Sequence, residues 1–534
     1  MVDRGKLWSH LSHIHMPPYL LRMMKGLYDG DSYIVVDGHK VSDPVRPSRG
    51  VKQGCPLSPL LFSLYINDVE DVFTRQNSTG RLKGAVTGTT GYRVSHLLYA
   101  DDLALITNSK KELQEMLDVL SGYADRKGLT VNTGKSHVVI FNSDTSRMAT
   151  VPVFVYKRVV LEVKQEFKYL GITFRSDGSM VYAADKISKA LLGSIQGVQR
   201  LAREHNVHHR PNVLAWLFQT YGFGAGMYGC QVWGTGFLKQ DKVFDSSVEA
   251  VRLCFLKRVL GVKRTTPNWM VLREFWLKPY QQYWFKAVAC FWNDIIKSNS
   301  FVLKSVVEAD RQLARRRASC WCSDVIEAAA DLESSESITA ALLDGKSIDI
   351  SSLCEDLRER RDRVWDEVVD GDPRDEHTPH RKLCTFYHWF AKEEVIEYDS
   401  RGRMKIMHPL PKYLCGRVAP FIRKDTARLR MSSHKFLVET GRYNGVPYKE
   451  RKCRLCESGE VEDELHVVLE CRATHEFRQM FIELDDSITD LRTLETKLSA
   501  NRYSKLIFAC INWFEERTEA LQAERPPPQA GRLM

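Results

Sequence analysis

Two groups of residues in this 534-residue chain have types and spacings that could do chemistry. The first is Tyr99-Ala100-Asp101-Asp102, set between the apolar arms 96–98 and 103–106. Adjacent carboxylates repel one another and lose solvation when buried. A divalent cation relieves both costs, and an all-oxygen site favours Mg²⁺. The pair therefore reads as half of a two-metal phosphoryl-transfer site. Taken alone, the same peptide reads better as a polar turn between strands, and the motifs at fixed places along the chain reverse that preference. The second group is Cys453, Cys456, His466 and Cys471, spaced Cys-x2-Cys-x9-His-x4-Cys. Three thiolates and one imidazole complete a tetrahedral Zn²⁺ set. A redox pair at Cys453 and Cys456 would need a thioredoxin-like βαβ setting, which the flanking sequence lacks. His475 is a spare imidazole close to this set.

The neighbouring sequence predicts the elements that would position the carboxylates. Apolar arms around a short tip predict a β-hairpin over 96–106. Upstream, the Gly- and Pro-rich turn 49–57 feeds an apolar helix running to about Phe73, with Ser58 and Pro59 at its start. Such a junction lets backbone approach a ligand closely. A helix over 7–28, broken at Met16-Pro17-Pro18, and a hairpin turning at Asp37-Gly38 come before it. After the carboxylates, Ser109 and Glu112 have capping-box spacing. Leu113, Met116, Leu117, Leu120 and Tyr123 then form one helical stripe. A strand at 137–141 and a hairpin-like region ending at 167–174 follow. This order predicts an α+β layer with helices behind an antiparallel sheet. From Ala183 onward the pattern is helical. His10, His13 and His15 read as incidental, and His205, His208 and His209 as part of a solvated connector.

Composition bounds the partners. The chain has 77 basic and 67 acidic residues, a net charge of +10 that is compatible with nucleic acid without establishing it. An odd count of 13 cysteines, mostly single within apolar runs, indicates reduced thiols in an intracellular protein. No signal-peptide pattern opens the chain. The most apolar stretch, 213–233, carries four glycines and reads as a buried helix with a Gly-rich end, so no membrane partner is expected. Arg428, Arg430, Lys435, Arg442, Lys449, Arg451, Lys452 and Arg454 interleave with Phe436, Tyr443 and Tyr448, a mixture that suits single-stranded nucleic acid or RNA.

Together these residues resemble the reverse transcriptase of a non-LTR retrotransposon. Residues 50–62, continuing Leu64-Tyr65-Ile66-Asn67-Asp68, resemble the family's Q-G-x-x-x-S-P template and nucleotide loop. Tyr99-Ala100-Asp101-Asp102 matches its metal-binding hairpin. Gly128-Leu129 with Asn132 and Lys135 resembles the next motif, and Tyr169-Leu170-Gly171 the primer grip. Group II intron maturases share the first motifs but usually lack the Cys/His knuckle. The resemblance implies a partial right-hand polymerase palm over 1–178, a helical thumb-like region over 179–300 and a helical connector over 301–435. It further implies a zinc-knuckle region over 436–490 and a C-terminal helix with a disordered tail over 491–534. It also implies roles. Asp101 and Asp102 would hold Mg²⁺, and Lys135 would supply charge or a proton near the departing pyrophosphate. Gln53, Gly54, Ser58, Pro59 and Tyr99 would line the template, nucleotide and primer-end pocket. Cys453, Cys456, His466 and Cys471 would hold Zn²⁺. RNA template and DNA primer or target would be the partners.

The pattern departs from the family at one place. Val2-Asp3-Arg4 resembles the end of the run that follows the first catalytic aspartate, so the expectation is a chain that starts after that strand and lacks the fingers. Asp3 does not stand for the absent ligand, and Asp29, Asp31 and Asp37 match no motif. The expected activity is RNA-directed DNA polymerisation, impaired in this form. The alternative is a non-catalytic nucleic-acid-binding remnant that keeps thumb and knuckle.

Overall fold

The computed structural model describes residues 2–78, 84–87, 91–141, 151–391, 395–398, 404–407, 410–482 and 487–523. They fall into two compact units, one of residues 1–182 with 295–323, the other of 183–294 with 324–534.

The first unit is α+β, as expected. It opens with helices α1 (Arg4–His13) and α2 (Pro18–Asp29). Asp3 caps α1 by accepting from the Lys6 amide at 3.0 Å, and Pro18 starts α2 where its absent N–H costs nothing. A short hairpin follows, β1 (Val36–Asp37) and β2 (Lys40–Val41). Its loop is Gly38-His39, one residue later than the Asp37-Gly38 turn read from sequence.

The single helix expected from Ser58 to about Phe73 is two helices, α3 (Leu57–Ile66) and α4 (Val69–Ser78). The break at Asn67-Asp68 turns the Asp68 carboxylate towards Tyr123 (2.7 Å) and Lys127 (2.8 Å). Strands β3 (Ala85–Thr87) and β4 (Tyr92–Val94) pair, and the hairpin β5 (His96–Tyr99) and β6 (Asp102–Leu105) comes next. A Cβ on Gly84, at φ +70°, would lie 2.6 Å from the Val94 carbonyl oxygen, so this close approach requires glycine.

Helix α5 (Lys110–Lys127) is the platform behind the hairpin. The Ser109 hydroxyl caps it by accepting from the Glu112 amide at 3.5 Å. The returning half of the expected box is redirected. The Glu112 carboxylate accepts from the Thr107 hydroxyl and from the Gly84 amide (2.7 Å), which ties the β3 strand to the helix start. Met116 and Tyr123 pack with Val69 and Phe73 of α4, while Leu117 packs with Val138, Phe154, Tyr156 and Leu161. Leu105 of β6 touches both clusters, so α5 and the hairpin share one core.

The sheet differs from expectation. Strands β7 (His137–Val139), β8 (Phe154–Tyr156) and β9 (Val159–Lys164) form a mixed sheet of order β7-β9-β8, with β7 parallel to β9. Among the described residues, the hairpin β10 (Glu166–Tyr169) and β11 (Ile172–Arg175) pairs only within itself, as does β5–β6. The antiparallel hairpins are therefore separate small sheets. A two-residue turn lets β9 fold back on β8, which frees the other edge of β9 for β7.

The second unit is helical. It begins with α6 (residues 183–204 of Val181–Glu204), which buries Ile187, Leu191, Ile195 and Val198 on one face; Leu192 is exposed. Next is α7 (Pro211–Leu217), continued by a wider turn over Phe218–Gly222. No described helix is long and apolar enough to cross a membrane. At the centre of the unit Arg430 is fully buried. It bonds Glu274 (2.7 Å) and Glu495 (2.7 Å), and Tyr413 donates to Glu274 at 2.7 Å.

Candidate active site and metal centre

The β5–β6 hairpin pairs Tyr99 with Asp102 and leaves Ala100-Asp101 as a two-residue loop. Ala100 has φ +51°, the positive value that tight hairpin turns need at their first central residue. Asp101, Asp102 and Tyr99 are exposed at this tip. The inner end of the hairpin is anchored: His96 packs on Phe73 at 5.1 Å, and the Ile106 amide donates to the Ser95 carbonyl at 2.8 Å. Burial lowers the pKa of His96, which stays neutral against the core. Two carboxylates are thus displayed on a rigid stem.

The second hairpin tip lies within electrostatic reach. Tyr169 pairs with Ile172 around the loop Leu170-Gly171, where both residues have positive φ. Burial raises the Tyr169 pKa, and the Asp102 charge adds to it. Tyr169 therefore feels the Asp102 charge.

The loop bearing Gln53 and Gly54 is braced from below. Arg4 donates from Nε to the Gly50 carbonyl at 3.1 Å and contacts Asp31 at 3.4 Å, and Lys52 also pairs with Asp31. The Lys52 amide donates to the Tyr28 hydroxyl (3.4 Å), which meets Ser58 Oγ at 3.2 Å. Gln53, Gly54 and Pro59 are exposed, and Gly54 has φ +81°. Ser58 is buried against Tyr28, so its hydroxyl supports the loop from within. Asp31, which matches no motif, is the anion that joins Lys52 of the loop to Arg4 of α1; nothing in its turn-like context signals this. Lys135 is exposed in the turn after α5. Among the described residues no hydrogen bond or ion pair links Gln53, Gly54 or Lys135 to Asp101 or Asp102. Nor does a third carboxylate, imidazole or thiol join the pair in a three-ligand cluster there.

The Cys/His set is assembled. The ligand atoms of Cys453, Cys456, His466 and Cys471 all lie within 4.8 Å of one another. Cys453 Sγ and Cys471 Sγ are 3.8 Å apart, and Cys456 Sγ is 3.3 Å from His466 Nε2. Zn–S bonds of about 2.3 Å require tetrahedral edges of about 3.8 Å between sulfurs, so the donor set fits the ion. Local pairing builds it: the Cys453 amide donates to the Glu460 carbonyl (2.8 Å), and Arg454 grips Glu462 through two nitrogens, at 2.6 and 2.9 Å. His466 begins a short wide-turn helix that ends at Glu470, which delivers Cys471 back to the set. Behind the donors, Glu470 Oε2 lies 3.6 Å from His466 Nδ1. Arg374 bridges Glu470 (2.8 Å) to Asp463 (3.0 Å), and Asp463 accepts from the His466 amide at 2.7 Å. His475 is exposed and outside the set.

The basic run near this set does not form a free nucleic-acid face. Arg428 pairs with Glu515, Arg430 with Glu274, Lys435 with Glu519, Arg442 with Glu439, Lys449 with Glu376 and Arg454 with Glu462. Arg451 donates to the Val446 and Val438 carbonyls, and Phe436 and Tyr448 are buried. Arg442 and Arg454 pair within eight residues, whereas Arg428, Arg430, Lys435 and Lys449 neutralise carboxylates from distant positions, which the local sequence does not reveal.

The family model described as "Reverse transcriptase (RNA-dependent DNA polymerase)" matches residues 2–174. Residues 2–174 are a reverse transcriptase domain. The relatives agree. Over 179 residues the chain is 29% identical to the Pol polyprotein of the type-1 retrotransposable element R2 of Nasonia vitripennis, covering 30% of this chain and 16% of that one. It is 28% identical over 193 residues to the R2DM polyprotein of Drosophila melanogaster, covering 33% and 17%. It is 29% identical over 163 residues to the RNA-directed DNA polymerase of the mobile element jockey of Drosophila funebris, covering 29% and 16%. The chain thus spans about a sixth of the length of these relatives. The matched segment contains the Gln53-Gly54 loop, the Asp101-Asp102 tip, Lys135 and the Tyr169-Leu170-Gly171 turn, whereas the Cys/His set lies outside it.

Proposed function

We propose that the reverse transcriptase domain carries out RNA-directed DNA synthesis, extending a DNA primer 3′-hydroxyl on an RNA template. The observation that carries this is the display of Asp101 and Asp102 at a hairpin tip inside the matched domain, with the Tyr169 turn beside it. Mg²⁺ at that pair would polarise the attacking hydroxyl and neutralise charge on the transferring phosphoryl group. Tyr99 flanks the primer end, and Tyr169, Leu170 and Gly171 hold the primer strand. Gln53 and Gly54 line the template and nucleotide pocket with Pro59, and Ser58 steadies their loop. Lys135 serves the departing pyrophosphate.

Beyond the palm at 1–178, residues 179–300 act as a thumb, 301–435 as a connector, 436–490 as a zinc knuckle and 491–523 as a closing region; the tail expected after it, 524–534, lies outside the described residues. Zn²⁺ at Cys453, Cys456, His466 and Cys471 is a structural ion, because all four positions are taken by protein. The 13 cysteines are all free thiols, in keeping with an intracellular, nuclear or cytoplasmic protein.

The deciding experiment is extension of a DNA primer on an RNA template by the purified chain with Mg²⁺. Extension that Asp101→Ala abolishes supports the polymerase. A second reading, a non-catalytic nucleic-acid-binding protein, is favoured by one observation: among the described residues, no third ligand joins the two aspartates. RNA binding without any extension would establish that reading for this chain.

A further inference from the structure

In the second unit a cavity of about 380 Å³ lies among the C-terminal ends of α6 and of the helix Ser247–Leu260 and the first turn of the helix Pro420–Arg430. Arg203, His208, His209, Arg258, Arg423 and Lys424 line it, and no Asp or Glu does. This contrasts with the paired basic run described above. Arg203, Arg258 and Lys424 are exposed and make no ion pair among the described residues.

Arg203 and Arg258 sit in last turns, where the helix dipole favours a cation whatever else is present. That account fails for Arg423 and Lys424. Arg423 ends the first turn of its helix and Lys424 follows it, at the end that favours anions, and no acidic residue stands in that first turn. Arg423 is also buried, and its guanidinium donates to the carbonyls of Tyr413, His209, Gly416 and Val418. Carbonyls satisfy its N–H groups without cancelling its charge, so the cavity wall carries a fixed positive potential. His209 is held neutral by burial, with Arg210, His208 and Arg423 adding to the effect, and can enter as a hydrogen-bonding partner. Pro211, Leu214 and Leu260 supply an apolar wall section on which a ribose or base can rest.

We propose that this cavity is a phosphodiester subsite for a single-stranded nucleic-acid segment, with Arg203, Arg258 and Lys424 contacting phosphate oxygens and Arg423 fixing the potential behind them. The proposal rests on the reading that the chain handles nucleic acid, not on its being catalytically active.

The test is fluorescence anisotropy of labelled 20-nucleotide RNA and of DNA of the same sequence against the full chain over a salt series. An Arg258→Gln/Lys424→Gln variant should weaken binding at least tenfold at low salt. It should also flatten the log K against log[salt] slope by about 1.4, roughly 0.7 for each single-strand phosphate that is no longer neutralised. The Arg258→Lys/Lys424→Arg variant should keep the wild-type slope. A Lys286→Gln/Lys505→Gln control, which removes two exposed cations elsewhere in the unit, should leave the slope in place. Equal weakening for RNA and DNA assigns a shared backbone site, and a larger loss for RNA assigns the template strand. An unchanged slope in the Gln variant overturns the proposal. So does a wild-type chain that binds neither strand, or a variant that loses only inorganic pyrophosphate binding by calorimetry. Primer extension, run separately, reports on Asp101 and Asp102, so its failure with strand binding intact leaves the subsite standing.

Discussion

Lys127 donates to Asp68 across 2.8 Å, and the same ammonium reaches the Tyr65 carbonyl at 2.9 Å and His10 Nδ1 at 3.0 Å. His10 Nε2 donates in turn to the Leu64 carbonyl at 3.0 Å, so a histidine with no partner in its own sequence neighbourhood is part of a clamp joining α1, α3 and α5. Replacing Lys127 by Met should destabilise the domain by about 2 kcal/mol, because a partly buried carboxylate and two acceptors lose their donor. The effect should depend on pH. Burial pushes the Asp68 pKa up, but the hydrogen bonds from Lys127 and Tyr123 outweigh it and the net shift is downward. A depressed folded pKa stabilises fully above the unfolded value of about 4 and is lost as pH falls through the folded one. Denaturant melts of both proteins should therefore show a gap that narrows as pH falls through the folded Asp68 pKa, leaving the part due to the Tyr65 and His10 contacts. A gap that widens towards acid would remove Asp68 from the account.

Asp101→Asn and Asp102→Asn should each abolish primer extension while leaving the fold intact. Metal stabilisation of transition-state charge amounts to several kcal/mol, so losing a ligand lowers the rate by at least about a hundredfold. Both side chains are exposed at the tip, and surface changes of this kind shift stability by no more than about 0.5 kcal/mol. Without metal, removing one of two adjacent charges relieves repulsion, so Tm should hold or rise slightly. A variant with wild-type extension would show that the pair is only a polar turn.

What could be read from the sequence was local. The stripe from Leu113 to Tyr123 and the hairpin arms around Asp101 and Asp102 are periodic over a few residues, and the structure realises both. The Cys and His ligands were legible because thiols at fixed short spacing, with an imidazole in register, match the geometry of one tetrahedral ion. What escaped depends on contacts across long separations. Glu112 turned from its helix cap to the Gly84 amide, and the parallel pairing of β7 with β9 is set by which edge β8 leaves open. Lys435 and Lys449 looked like nucleic-acid ligands because their partners, Glu519 and Glu376, lie far along the chain. His208 and His209 looked like solvated loop residues because the helix from Pro420 that completes their cavity lies far along the sequence.

Lys157 and Arg158 form the β8–β9 turn, with φ of +47° and +71°. Both are in the left-handed region, which a side chain with a Cβ enters at a cost of about 1–2 kcal/mol. The Asn-Gly or Gly-Gly signal that marks such turns is absent here, so the hairpin-like region read from sequence carried no turn position. Arg158→Gly should therefore stabilise the domain by about 1 kcal/mol, the relief of strain exceeding glycine's larger unfolded-state entropy. Arg158 makes no ion pair among the described residues, so the substitution breaks none that would offset the gain. Lower stability in urea titration would mean that the turn takes another conformation in solution.

Glu470 stands behind the His466 ring, 3.6 Å from Nδ1, while Nε2 faces Cys456. A carboxylate on the far nitrogen fixes the ring's tautomer and raises its basicity as a ligand. Arg374 holds that carboxylate in place and also holds Asp463, which anchors the His466 backbone, so one guanidinium orients the imidazole at two points. Glu470→Gln should leave one Zn²⁺ per chain by metal analysis but weaken it about 10–100-fold against a competing chelator. Arg374→Gln should give a similar loss by a different route, because Glu470 remains charged but is no longer held. Cys453→Ser removes a direct ligand and should empty the site. If both outer variants retain wild-type affinity while Cys453→Ser loses the ion, the four donors hold Zn²⁺ without help. If no variant changes metal content because the wild-type chain binds none, the Cys/His set is not a zinc site.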